Sequence, residues 1–353
     1  MRVALSMLTL IPGISGGSET YARALATELA TGGRHEYEAL LPAIAPDAAG
    51  PLPGRVVPEY RASATTAGRL RAMAAAAAFP GRLGGYLSGA DVVHYPLTVP
   101  LPRTRLPVVQ TLLDVQHLDL PQLFPRAERV FRALAYNRAA RLAGQVIVIS
   151  EWVRQRTIER LGLDPSRVHA VHLAVDHGLF TPAPGTPREA FLVYPARPWP
   201  HKNHARLFQA FASLRRSRPE LRLVLTGAGH PHEGLPEGVE VRRGLSAEEL
   251  VETYRRAACL VFPSLYEGFG LPPIEAMACG CPVAASSAGS LPEVCGDAAV
   301  LFDPFDPESI ARGVEQALAR APELQARGLE RAAAFTWRSC AEAHDRIYEL
   351  AAS

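Results

Sequence analysis

Short apolar runs alternate with segments of helical periodicity along the whole chain, and that alternation leaves few folds open. A buried run of about four to eight apolar residues, then a helix, then another such run, makes a βαβ unit whose strands lie parallel. A first series runs through "RVALSML", "YEALLP", "VVHYP", "PVVQTLLD" and "QVIVIS". A second runs through "FLVYPA", "LRLVLTGAG", "VEVRRG", "CLVFPS", "CPVAAS" and "AVLFD", with helices such as "HARLFQAFASLRR", "SAEELVETYRRA" and "PESIARGVEQALAR" between the runs. The stretch "FTPAPGTPREA", residues 180–190, has few periodic apolar positions and reads as a linker. Two doubly wound α/β domains facing an interdomain cleft follow from this pattern. The expected bounds are 1–180 and 181–335, with a C-terminal helix over 336–353 that packs back on the first domain. Ser18 is placed to cap the first helix, with Tyr21, Leu25 and Leu29 on one face and Gly32-Gly33 ending it.

Composition narrows the class further. At 353 residues the chain exceeds the roughly 250–300 at which a single core splits. Apolar residues make up 48% and charged residues 20%, as in globular proteins. The longest uncharged apolar run, Ala72 to Phe79, is far short of the ~18–20 residues that span a bilayer. The N-terminal "MRVALSMLTLIPG" has one basic residue and leads into a Gly-rich turn, so it reads as a buried strand and not a secretion leader. Five cysteines, all beyond position 258 and none in a Cys-x-x-Cys pair, fit buried thiols in a reducing cytoplasm, and no metal site is expected. A net charge of +2 gives no field to recruit nucleic acid. Of the 37 basic residues 36 are arginine, and Lys202 is the one lysine. In a chain drifting toward arginine, that survivor points to a place where a compact ammonium matters; chance survival is the bland alternative.

Ligands of open α/β sheets bind at the carboxyl ends of the strands, so the loops there carry the candidate chemistry. "SLYEGFGLPPIEAMACG", residues 264–280, follows one such strand and sets Glu267 and Glu275 eight positions apart. Gly268 and Gly270 let the backbone approach a ligand, Pro272-Pro273 suit a first helical turn, and the helix N-terminus favours an anion such as a diphosphate. Carboxylates on either side of a phosphate-sized gap can each accept hydrogen bonds from sugar hydroxyls. Glu275 also has a plain reading, as a first-turn glutamate favoured by the helix dipole. "YPARPWPHKNH" puts Arg197 and Lys202 five apart beside Asn203, and two fixed cations there can neutralise a leaving diphosphate; a solvated charged loop is the alternative. In the first half, Gly16-Gly17 reads either as a tight strand-to-helix turn or as a close approach to a ligand, and with Gly13 it does not make G-x-G-x-x-G. Asp114 and His117 in "TLLDVQHLDLP", and His94 in "VVHYP", are polar residues at strand ends with structural and functional readings both open.

"PSLYEGFGLPPIEAMACGCPVAAS", followed by "GSLPEVCGDAAVLFDPFDPESIARGVEQAL", resembles the donor-binding half of the retaining glycosyltransferases of family 4, which have the GT-B fold. The Glu-x7-Glu spacing, the Arg-x4-Lys-Asn loop, the "VFPS" strand end and "FTW" all fit, over about Tyr194 to Trp337 and more loosely before it. Within that family "DVQHLDLPQLFP" is most similar to mannosyltransferase-like members that build polysaccharides. The resemblance implies that Glu275 grips the nucleotide ribose and Glu267 faces the transferred sugar. It implies that Arg197 and Lys202 bind the diphosphate, with the amides of Phe269, Gly270 and Leu271. Gly268, Asn203, Gly227, Gly16 and Gly17 join the implied donor-binding set. Related sequences often read His-Asp where this chain has Leu113-Asp114, so that histidine's role does not carry over, and Asp114 and His117 stand as catalytic candidates.

The implied activity is transfer of a hexose, with GDP-mannose the leading donor, to a hydroxyl of a glycan, lipid-linked or small-molecule acceptor. The anomeric configuration is retained, and neither a metal nor another cofactor is needed. A nucleotide-sugar epimerase on the same fold and a non-catalytic nucleotide-sugar binder are the alternatives. "PRAERVFRALAYNRAARLA", residues 125–143, carries five arginines around an apolar stripe, so it is either a solvated helix packed on a sheet or a peripheral contact with anionic membrane. The expected location is cytoplasmic, at the inner membrane face if that contact is made.

Overall fold

A computed structural model describes residues 1–13, 16–63, 65–78, 80–231 and 233–353, so Phe79, the end of the long apolar run, lies outside it. The chain divides into two compact units, Met1–Leu173 with Trp337–Ser353, and Ala174–Thr336. The division falls ahead of the Pro-rich stretch and not at 180. Val175 N–H donates to Phe335 O (3.3 Å), and the Phe180 ring lies on Tyr254 (6.3 Å between centroids), which ties this segment to the second unit. The stretch is also shorter than expected, because Glu189 and Ala190 already belong to a strand.

The strands of the first unit are β1 (Arg2–Ser6), β2 (Glu36–Pro42), β3 (Gly54–Val57), β4 (Val92–Tyr95), β5 (Val108–Thr111), β6 (Gln145–Val148) and β7 (Val168–Ala170). They form a seven-stranded sheet in the order β3-β2-β1-β4-β5-β6-β7, parallel throughout. The second unit has β8 (Glu189–Pro195), β9 (Arg222–Thr226), β10 (Val239–Arg242), β11 (Ala257–Phe262), β12 (Val283–Ser286) and β13 (Val300–Phe302). Its six strands, also all parallel, run β10-β9-β8-β11-β12-β13. Each sheet therefore reverses its winding once, between β1 and β4 and between β8 and β11, and a crevice for ligands opens at such a reversal.

Burial on both faces explains the continuous apolar runs: Phe191, Leu192, Val193 and Tyr194 of β8 are all inaccessible. The alanine-rich helix Thr66–Ala78 reaches the first core through Ala72 and Ala76, which pack with Leu40, Val93 and Tyr95. The helix Gly17–Gly32 buries Tyr21, Ala22, Leu25, Ala26 and Leu29, as its spacing predicts. Its cap is Gly16 and not Ser18, since the turn there needs φ 55°, ψ −133°, a conformation open to glycine. In the second unit the helix Ala247–Arg256 starts with a capping box, Ser246 and Glu249 each bonding the other's backbone N–H (2.7 and 3.2 Å).

The C-terminal helix Trp337–Ala352 packs on the helix Gly17–Gly32 through a buried polar chain. Tyr21 Oη lies 2.7 Å from His344 Nε2 and 2.8 Å from Thr111 Oγ1, His94 Nε2 is 2.9 Å from Thr111 Oγ1, and Tyr348 Oη is 2.9 Å from His94 Nδ1. Burial pushes the His344 imidazole down to about 4 and His94 well below its ordinary value, so both are neutral here.

Candidate donor site and family

Lys202 and Glu267 come from the loops that follow β8 and β11, the two strands flanking the winding reversal of the second unit. Lys202 Nζ meets Glu267 Oε1 at 2.6 Å, with side-chain exposures of 14% and 13%. The ammonium also stands 5.4 Å from the Phe262 ring centre. The pair is thus half sunk at the sheet edge, where a Coulomb interaction is stronger than on an open surface.

The loop after β8 is a chain of tight turns. Trp199 N–H donates to Arg197 O (2.8 Å), Lys202 N–H to Trp199 O (2.9 Å) and Asn203 N–H to Pro200 O (3.2 Å). Tyr194 Oη holds Lys202 O at 2.6 Å, and His230 Nε2 lies 2.7 Å from Ala196 O. Gly227, at φ 103°, brings its Cα against the same loop: a Cβ there would sit 3.2 Å from Ala196 C and 3.4 Å from Arg197 N. Arg197 is half-buried, with its guanidinium 5.6 Å from the centre of the exposed Trp199 ring. Behind the loop, burial with His230 and Lys202 nearby pushes His204 down to about 4.

Asn203 has a different place from that expected of a donor ligand. It is buried, takes the left-handed conformation (φ 62°), and its amide nitrogen donates to Pro263 O (3.0 Å) and Pro304 O (2.7 Å). With both amide hydrogens used, it is a strut that joins the loop after β8 to those after β11 and β13.

The Gly268–Leu271 turn leads into the helix Leu271–Ala278, whose cap Gly270 has φ 108°. A Cβ on Gly270 would come within 2.7 Å of Leu291 Cδ2, so both conformation and space require glycine. Pro272 and Pro273 lack N–H groups, so Leu271 carries the only backbone donor among the first three helical positions. An anion at this helix end would therefore need the loop amides as much as the helix. Phe269 anchors the turn by burying its ring edge-on to Phe335 (5.6 Å).

Glu275 lies beyond the first turn, so the dipole account of a first-turn glutamate does not apply to it. Desolvation pushes its carboxyl up to about 7, and a hydrogen bond from Tyr254 Oη (3.2 Å) pulls the other way. Among the described residues Tyr254 is the hydrogen-bond donor to this carboxyl, which leaves it capacity to accept more.

The first-unit candidates sit otherwise. Gly16 and Gly17 are exposed at the start of their helix, and a Cβ on Gly16 would meet nothing within 4 Å. Asp114 Oδ1 accepts from Gln116 N–H (3.0 Å) in a local turn. His117 is buried with Nε2 2.9 Å from Asn137 Oδ1, and its Nδ1 has no hydrogen-bond partner among the described residues. Desolvation lowers its pKa. His94 is spent in the buried chain described above.

Comparison with known proteins places this arrangement. The family model of glycosyl transferases group 1 matches residues 183–334, and that of glycosyltransferase family 4 matches residues 15–179. The chain belongs to the family 4 glycosyltransferases. This glycosyltransferase is 29% identical over 284 residues to the O-antigen chain mannosyltransferase B of Escherichia coli, covering 74% of each chain. It is 34% identical over 230 residues to the MMP alpha-(1->4)-mannosyltransferase of Mycolicibacterium hassiacum, a match that spans 61% of this chain and 56% of that one. Among solved structures, sucrose-phosphate synthase from Thermosynechococcus elongatus superposes with a TM-score of 0.79 at 21% identity, covering 99% and 98% of the two chains. WaaG, a glycosyltransferase involved in lipopolysaccharide biosynthesis, does so with a TM-score of 0.72 at 18% identity over 98% and 99%. These likenesses establish the GT-B type of two Rossmann-like units.

The glycosyltransferase site has supports that its sequence motifs do not announce. Ser290 Oγ donates at 2.7 Å to Phe269 O and lies 3.1 Å from Glu267 O, and Gly289, at φ 67°, packs where a Cβ would stand 2.8 Å from Glu267 N. The segment after β12 therefore sets the position of Glu267. Its one signal is a glycine and serine between a strand and a short helix, in "AGSLPEV".

Proposed function

We propose that this glycosyltransferase moves a hexose, with GDP-mannose the leading donor, from a nucleotide-diphosphate sugar to a hydroxyl of a glycan, lipid-linked or small-molecule acceptor. The transfer retains the anomeric configuration and needs no metal. The observation that carries the proposal is the Lys202–Glu267 pair at 2.6 Å, built from the two loops that bracket the winding reversal. The mannosyltransferase names of two relatives support the choice of sugar.

In the absence of donor, Glu267 holds the ammonium in place. A bound diphosphate would share Lys202 and draw on Arg197 and the backbone N–H of Leu271, while Glu267 turns to hydroxyls of the hexose. Glu275 would accept from the ribose hydroxyls. As the bond from the anomeric carbon to the phosphate oxygen breaks, its electron pair passes to the diphosphate. The acceptor oxygen bonds to that carbon from the same face, and its proton goes to the departing phosphate oxygen. The fixed cations stabilise the charge that develops, one such donor being worth ~3 kcal/mol. In the first unit Asp114 holds the turn that leads to His117, and the buried His117 Nδ1 would reach an acceptor hydroxyl only once that turn opens.

The test is incubation with a panel of GDP, UDP, dTDP and ADP sugars, with nucleotide diphosphate release measured and the product anomer read by NMR. Release from GDP-mannose with an α-linked product is expected. An epimerised, intact donor would assign an epimerase, binding without turnover would assign a non-catalytic binder, and a β-linked product would remove retention.

A further inference from the structure

We propose that the outer face of residues 126–142 in the first unit docks on an anionic lipid surface. The segment is one helical rod: Arg126–Arg132 passes into a π-helical turn, Ala133–Asn137, and on into Arg138–Leu142. Along one line, at every fourth position, lie Arg126, Val130, Leu134, Arg138 and Leu142. An α-helix lets such a line drift by about 40° per step, and the wider π turn limits the drift. Exposure follows the line. Leu142 (73%) and Leu134 (64%) are the two most exposed large apolar side chains among the described residues, and Val130 stands at 52%.

The same face is positive. Arg126, Arg129 and Arg138 are exposed, Arg141 is exposed as well with its Nε donating to Leu161 O (3.3 Å), and Glu128 is the one acid between Asp119 and Glu151. Glu128 is taken by Arg132 (2.9 Å), a residue turned toward the protein, with its guanidinium 4.6 Å from the Phe124 ring centre. The inward side is well anchored: Asn137 and Ala140 are buried, and Asn137 holds His117. The rod is thus firmly fixed on one side and unmatched on the other.

Protruding aliphatics mixed with guanidinium groups match a bilayer of acidic phospholipids. The leucines enter the acyl boundary, and the arginines bond phosphates in pairs of hydrogen bonds. A second copy of this chain matches less well, because a two-fold contact would set like-charged arginines against one another. The inference does not rest on the donor chemistry, so either can fail without the other.

The experiment is cosedimentation of the full chain with vesicles of phosphatidylcholine alone and with roughly a third phosphatidylglycerol, at low and high salt. Binding is expected to the mixed vesicles only, and to fall with salt. Two variants, Leu134→Glu with Leu142→Glu, and Arg→Gln at 126, 129, 138 and 141, should each reduce it about tenfold with circular dichroism unchanged. Equal binding to neutral vesicles, no binding to either, or undiminished binding by both variants would overturn the proposal. So would a monomer–dimer equilibrium abolished by the leucine variant without any vesicle binding, which would give the face to a second copy.

Discussion

The two units share one sheet order and spend their polar residues in opposite ways. At the reversal of the second sheet, Lys202 and Glu267 face each other at a partly open edge, in loops whose backbones are held by Tyr194, Gly227, Asn203 and Ser290. At the first sheet, β4 bears His94, which is buried and locked between Thr111 and Tyr348. The same topological position thus holds a charged pair with slight exposure in one unit and a fully buried neutral histidine in the other, and only the first retains charge at the surface.

The sharpest break in this comparison is Lys202→Ala. It should lower turnover about a hundredfold, as loss of a preorganised positive donor does, with melting temperature little changed. Adding Glu267→Gln to that variant should restore part of donor binding, because the carboxylate left facing the diphosphate is removed. Independent, additive losses would mean that the two residues do not act as a pair.

The counterpart in the first unit is His94→Ala. Its effect should appear in stability, about 2–4 kcal/mol by denaturant unfolding, from a cavity and the Tyr348 hydroxyl left without His94, while Thr111 keeps Tyr21. Turnover per folded molecule should hold. A large loss of turnover with stability intact would place His94 in the chemistry and erase the contrast.

Most of the strands, and the two charged residues Lys202 and Glu267 though not their pairing, are legible in the amino-acid sequence. The strand series stands out because parallel strands are buried on both faces. β3 and β7 do not, being four- and three-residue edge strands; β3 is mostly exposed and carries no apolar run. Lys202 and Glu267 are readable from a lone lysine and an irregular spacing. The struts are not, since Ser290 acts on a carbonyl 23 positions away and Asn203 on carbonyls 60 and 101 away. Asn203 resembles a ligand in sequence because it neighbours two cations; its positive φ and its two acceptors come from chain packing.

A smaller effect separates the two glutamates. The Glu275 carboxyl is held at about 7, above its unfolded value, so the charged form destabilises the fold as pH rises through that window. Glu275→Gln should be no more stable than the parent in acid and about 1–2 kcal/mol more stable above neutrality, the figure discounted for its partial exposure. Donor affinity of the parent should strengthen between pH 6 and 8 as the carboxylate forms, and the variant should lose that slope. A flat profile for the parent would remove Glu275 from the ribose contact. Smallest of all is the effect of EDTA, which should leave turnover unchanged; abolition reversed by added divalent ions would show that Arg197 and Lys202 do not suffice.

On the proposed function, the loops after β8 and β11 grip a nucleotide-linked diphosphate. Calorimetric titration of GDP into the parent chain and Lys202→Ala tests it most directly. Saturable one-to-one binding by the parent is expected, weakened about tenfold or more in the variant. Equal affinity in the two proteins would contradict it.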